Sequence, residues 1–266
     1  MKLYLSLFRI RFLNFLQYRA VAVGLLATRF LWAFMEILAF QALYRSGLSE
    51  SAMTMEQTAS YLWMQQGLYT LFLVVFADGE IYDSIRTGTI AYELVRPMDL
   101  YDRWFVQAAA NRAAPLVFGH LPMLLVALIM PAPMRLILPA FPQFLLFLLS
   151  AALGLCVTVS IAMFMHISMF FTVSHRGTRI MFTAITGFLS GGVIPLPFFP
   201  EAVRNVISLL PFAAMQNMPL QIFCGTMTGT EALAGILFQT VWLFILVFLG
   251  KLVMHRALQR VVVQGG

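Results

Sequence analysis

Six apolar stretches, each close to the length needed to cross a bilayer, run through this chain with polar residues punctuating them. A spanning helix needs about 20 mostly apolar residues. By that measure the spans are expected at 21–44, 59–77, 113–130, 143–165, 179–195 and 232–250. No soluble fold could hide so much apolar surface behind the charge available. Only 11% of residues are charged and 61% are hydrophobic, against about 25% charged in an ordinary soluble domain. Lipid is the solvent this sequence fits. The expected fold is all-α and integral to the membrane, with residues 1–266 forming a single membrane domain.

The remaining segments refine the reading. Over residues 2–19, Leu5, Phe8, Phe12 and Phe15 recur at helical spacing while Arg9, Arg11 and Asn14 fall elsewhere around the helix. That pattern predicts an amphipathic helix lying on the inner leaflet. The charges rule out a cleavable leader there. Residues 195–231 are broken by Pro195, Pro197, Pro200, Pro211 and Pro219 yet stay apolar. Short helices dipping into the membrane from the outer side fit them, because irregular backbone at that depth has to be sheltered by protein.

Orientation follows from the basic residues. With the N-terminus inside, thirteen of the seventeen Lys and Arg fall on the inner side. Only Arg45, Arg135 and Arg204 fall outside, and Arg29 lies within the first span. This asymmetry places both termini in the cytoplasm and the chain in the cell's inner membrane. The net charge of +6 is spent at span ends rather than along a stripe, so nucleic acid is not an expected partner.

Much catalytic chemistry is absent. The two lysines, Lys2 and Lys251, follow no Gly-rich loop, so the chain has no P-loop. His120, His166, His175 and His255 are dispersed, with no zinc-binding spacing. No G-x-S-x-G elbow is present. Cys156 and Cys224 form no metal or redox pair. The Ser190-Gly191-Gly192 run precedes Val-Ile-Pro, which reads as a bend or a close helix contact. The chain is therefore expected to bind no cofactor and to be no enzyme; if nucleotide energy drives it, a partner binds the nucleotide.

The informative segment is Asp78–Arg112, six acids mixed with four arginines on the inner side. Asp78 and Glu80 end a span, Arg86-Thr87-Gly88-Thr89-Ile90 is turn-like, and Tyr92–Val95 is a short helix stopped by Arg96-Pro97. The run Arg86, Gly88, Thr89, Ile90, Glu93, Leu94, Pro97 resembles the stretch after the second span of ABC type-2 transporter permeases. The amphipathic N-terminal helix, the six spans and the Pro-broken outer segment before the last span resemble that family as well. Arg96-Pro97-Met98-Asp99 and the ending Val263-Gln264-Gly265-Gly266 are most similar to a small-permease branch, in which two membrane subunits assemble with a separate ATPase. The resemblance implies an exporter subunit paired with a second permease, with ATP and Mg bound by ABC ATPase subunits. It also makes 78–97 the coupling element, with Asp78, Glu80, Arg86, Gly88, Thr89, Glu93, Arg96 and Pro97 as its candidate residues.

Two ionisable residues sit inside the first span. Arg29 and Glu36 are seven residues apart, on one helix face and about 10 Å apart along the axis, too far for a direct ion pair. Charges at this depth are costly and rarely face lipid. Either they line the pathway or a subunit interface, or Arg29 snorkels and Glu36 pairs with a neighbouring helix. Gln65, Gln66, Asn111, His120, Gln143, His166 and Gln239 are further polar groups in or near spans, most of them expected to satisfy neighbouring helices. Two rivals remain. A secondary transporter or channel would normally carry an inverted repeat or more midplane charges, and a lipid-acting enzyme would want clustered His, Asp or Ser at one interface.

Overall fold

The computed structural model describes residues 2–16, 19–47, 53–76, 79–172 and 175–259, and these contain helices and connecting turns with no strand. In chain order the first helices are α1 (Lys2–Leu16), α2 (Arg19–Arg45), α3 (Met55–Gly67) and α4 (Tyr69–Phe72). Then come α5 (Gly79–Arg86), α6 (Ile90–Leu94), α7 (Leu100–Ala113) and, after one π-helical turn at Leu116–His120, α8 (Leu121–Leu128). The last are α9 (Phe141–Ser168), α10 (His175–Leu189), α11 (Glu201–Ser208), α12 (Asn217–Cys224) and α13 (Gly229–Leu258). Asp78, Arg260 and the ending Val263–Gly266 lie outside the described residues.

Three of these helices are long and apolar enough to cross a bilayer: Leu26–Arg45 within α2, all of α9 and all of α13. They coincide with the stretches expected at 21–44, 143–165 and 232–250. The stretch 59–77 is not one helix. It breaks at Leu68 and ends at Leu73, where the backbone turns extended. The stretch 113–130 is divided by the π-helical turn, with Pro115 before it and Pro122 after it. Residues 195–231 hold the short helices α11 and α12, and Leu220, Ile222 and Phe223 of α12 are buried.

The core is organised around α9. Helix α13 lies along it, and α12, α7, α4 and α10 also pack on it. The approach is close because α9 carries small residues where backbones meet. A Cβ on Gly154 would lie 2.2 Å from the Met215 carbonyl oxygen, so only glycine lets the 213–216 turn seat there. Gln239 of α13 donates to the backbone oxygens of Ser150 (3.1 Å) and Ala214 (2.9 Å) and accepts from Ser150 Oγ at 2.8 Å. Such interhelical bonds average about 0.6 kcal/mol each in membrane proteins. Gln143 caps two carbonyls, Ile222 and Met227, both at 2.7 Å. These amides satisfy neighbouring helices, as their positions in apolar spans lead one to expect.

Helix α3 begins with a capping box: Thr54 Oγ1 accepts from Gln57 N–H, and the Gln57 side chain accepts from Thr54 N–H. From Thr58 to Gly67 every residue of α3 is buried. The helix is enclosed by protein over those turns, its polar Thr58, Ser60, Gln65 and Gln66 included.

Candidate functional site

Two constellations hold the charged groups. The first is the α5–α6 segment and the elements that brace it. Helix α5 is amphipathic, burying Ile81, Tyr82 and Ser84 and exposing Asp83 and Arg86. Gly88 ends the turn after it at φ +73°. Nothing stands within 4 Å of a Cβ built there, so backbone conformation alone calls for glycine. Helix α6 follows, with Ile90 as its buried anchor. Asp99 then caps α7, its carboxylate accepting from Asp102 N–H at 3.0 Å.

Glu80 and Glu93 are both tied to other elements, Glu93 half-buried and Glu80 still exposed. Glu80 pairs with Arg11 of α1 at 2.6 Å and accepts from Gln107 Nε2 at 3.2 Å. The Arg11 guanidinium holds the Glu80 carboxyl below its ordinary range. Glu93 pairs with Arg103 at 3.1 Å and accepts the Trp104 indole N–H at 2.9 Å. Trp104 is fully buried, stacked on Phe170 and edge-on to His166. Arg86, Gly88, Thr89, Arg96 and Pro97 are exposed as well. With them are two large apolar side chains in the open, Tyr92 at 74% and Val95 at 82%. A third clasp joins α7 to α13: Lys251 Nζ lies 2.6 Å from Asp102. Gly250 beside it leaves room for the Tyr101 ring. Helices α1, α5, α6, α7 and α13 are thus pinned together under one exposed ridge.

The second constellation lies between α2 and α3. Gln66, nearly fully buried, accepts from Arg29 Nη1 at 3.2 Å and donates from Nε2 to both Glu36 oxygens, at 3.1 and 3.2 Å. The seven-residue gap between the two charges is therefore spanned by one amide from the next helix. Arg29 also stacks over the Tyr69 ring at 3.6 Å. His120, fully buried, closes the π-helical turn that packs on α2. The adjacent Gln65 points the other way, donating to the Gly192 carbonyl at 2.9 Å. That bond ties α3 to the Ser190-Gly191-Gly192 bend, where Gly191 has φ +80°.

Arg112, counted from sequence among the inner-side anchors, has a different place. It is fully buried. Its guanidinium donates to the carbonyls of Leu73 (2.9 Å), Val74 and Ala108 (3.0 Å), and its own carbonyl accepts from Thr70 Oγ1. It supplies the donors that the broken end of α4 lacks. The signal in sequence was an arginine set among small residues, Ala108–Ala110 and Ala113–Ala114, which let backbones come near. Gln66 carried no comparable signal.

Among the described residues no group of three His, Cys, Asp or Glu is placed to hold a metal ion. The arrangement is a braced exposed ridge on one side and bridged charges between α2 and α3 on the other. A family model described as ABC-2 family transporter protein matches residues 30–265. No curated protein matches the chain. The family match takes in the ridge, Glu36 and Gln66 of the polar chain, and the helices around α9. The chain therefore belongs to the ABC-2 transporter family, as a multi-pass membrane permease of an ABC transporter.

Proposed function

We propose that this permease is driven by ATP hydrolysis in a separate ATPase subunit that docks on the α5–α6 ridge, and that it exports its substrate. The carrying observation is the contrast within that segment. Tyr92 and Val95 stand exposed between Arg86 and Arg96, while Glu80 and Glu93 fix the same segment to α1 and α7. An apolar anchor ringed by charge and held on a stiff base suits a soluble protein partner. Movement of that partner would be passed to α7 and α13 as a rigid-body shift. ATP and Mg bind the partner, and this chain has neither a P-loop nor a catalytic role. Two permease subunits face each other above the ATPases. The exposed apolar face of α2 (Leu31, Trp32, Met35 and Leu38) is available for a second subunit or lipid.

The topology that serves this mechanism is six spans with both termini in the cytoplasm of the inner membrane. The Lys and Arg asymmetry supports it. The test is ATP hydrolysis by the copurified ATPase, with and without permease. Tyr92→Ala combined with Val95→Asp, and separately Gly88→Pro, are expected to abolish the permease's effect on hydrolysis while the permease stays folded and monodisperse. Hydrolysis that responds to these variants as to the parent would refute docking on the ridge.

A further inference from the structure

We infer that the cleft between α10 and the Tyr69–Val75 stretch binds an anionic amphiphile, and that such molecules are the substrate class of this permease. The inference rests on the reading of the chain as a transport subunit and adds what is carried. Two cavities adjoin along α10, sharing Val75 and Thr183. The inner one, of about 200 Å³, reaches Ser190 and Gln216. The outer one, of about 690 Å³, opens at Arg176 and Arg179. From Arg176 to Ser190 the helix rises roughly 20 Å, a large part of the roughly 30 Å hydrocarbon layer.

The lining is ordered by chemistry. Arg176, Arg179, Thr183, Thr186 and Ser190 recur every three or four residues, so they form one polar stripe on α10. Among the described residues neither arginine has a carboxylate partner within ion-pair distance. Both are exposed at the cleft mouth, and no described lining residue of either cavity is acidic. The opposite wall is apolar: Phe72, Leu73, Val74 and Val75. At the closed end Gln216 is 5% exposed and its Nε2 has no hydrogen-bond partner. A buried unmade donor is costly, and a ligand oxygen reaching the inner cavity would satisfy it.

A cleft with free guanidinium groups at its mouth and apolar walls behind them suits an oxyanion headgroup, phosphate or carboxylate in class, carried on an apolar tail. The mouth is also placed to respond to the ridge. The Arg179 guanidinium sits 5.2 Å from the ring centre of Tyr82, the buried tyrosine of α5. A shift of α5 therefore moves the group that would hold the anion.

The test is binding to the full-length permease in phosphatidylcholine nanodiscs, without nucleotide or ATPase. The probes are short-chain dihexanoyl phosphatidylglycerol, its phosphatidylcholine counterpart and inorganic phosphate. The phosphatidylglycerol analogue is expected to bind at least tenfold tighter than the phosphatidylcholine analogue. Arg176→Gln with Arg179→Gln should erase that preference, Arg179→Lys should keep part of it, and Thr186→Leu should weaken both lipids by filling the inner cavity. Equal binding of the two lipids, or a preference indifferent to the double Gln variant, overturns the inference. Inorganic phosphate displacing the lipid at equal concentration reduces the site to a free oxyanion site and overturns it too. Binding that vanishes as the permease self-associates means a second copy fills the cleft, which is a further refutation. Because no ATPase is present, failure here leaves the docking proposal standing, and failure of docking leaves this result readable.

Discussion

Gln66 shows what a single side chain settles at membrane depth. Arg29 and Glu36 were visible in the sequence because a charge inside an apolar run is conspicuous. The amide that joins them was not, since Gln65, Gln143 and Gln239 carry the same composition signal and face other helices. Replacing Gln66 with Leu strands Glu36 and leaves Arg29 only its contact with Tyr69. The expected loss is about 1–2 kcal/mol, read as unfolding at a lower SDS fraction. Glu36→Gln, which keeps a partner for the amide, should lose less; a Gln66→Leu protein as resistant to SDS as the parent would disprove the bridge's importance. The clasp between Arg11 and Glu80 is a second residue-scale case, and it depends on pH. Its carboxyl is held below the ordinary value of 4.5, chiefly by the Arg11 hydrogen bond. A lowered folded pKa means a contribution fully present above 4.5 and lost as pH falls through the lowered value. A spin-label distance between α1 and α7 is expected to stay constant from neutral pH down to 4.5 and lengthen below it, and Arg11→Gln should lengthen it already at neutral pH. A distance that ignores acid would show that α1 is held by its apolar contacts alone.

Among the elements, α2, α9 and α13 were legible because a long apolar run bounded by charges leaves few options. The stretch 59–77 reads as one span, yet its helix breaks at Leu68 and ends at Leu73. Helix α3 buries polar and apolar residues alike from Thr58 to Gly67, so no period marks where the helix stops. What marks it is Arg112, thirty-eight positions on from Val74, whose guanidinium satisfies the carbonyls that the break at Leu73 sets free. Arg112→Ala is expected to cost about 3 kcal/mol, the penalty of leaving two buried carbonyls without donors, and Arg112→Lys should recover part of it. Thermal unfolding in detergent reads the difference, and an unchanged midpoint would mean that other groups cap α4. In the α5–α6 segment the turn at Gly88 and the stop at Pro97 were readable. The anchoring of Glu80 and Glu93 was not, because Arg11, Gln107, Arg103 and Trp104 reach them from other helices.

For the whole molecule, the proposed orientation rests on the distribution of Lys and Arg. A membrane-impermeant thiol reagent applied to cysteine reporters gives the check. Reporters at Tyr92 and Gln259 should react from one side, and reporters at Arg135 and Arg204 from the other. A Tyr92 reporter labelled together with Arg204 would break the six-span arrangement and remove the ridge from reach of a cytoplasmic ATPase. The family match covers most of the chain, yet the ridge and the cleft along α10 follow from side-chain placement that composition does not encode.

The chain joining Arg29, Gln66 and Glu36 also bears on how the protein is made. Synthesis delivers α2 before α3, with both charges in place, and Gln66 follows thirty residues after Glu36. A lone α2 entering lipid would carry an unmatched cation and anion, each worth about 2.5–3.5 kcal/mol against insertion. The first spanning helix thus carries charges it cannot match alone, and α2 is expected to wait at the insertion machinery until α3 arrives and the two partition as a hairpin. Nascent chains arrested before Gln66 would then remain extractable by alkali, and chains arrested beyond α3 would not; extraction indifferent to that boundary would show that α2 enters by itself.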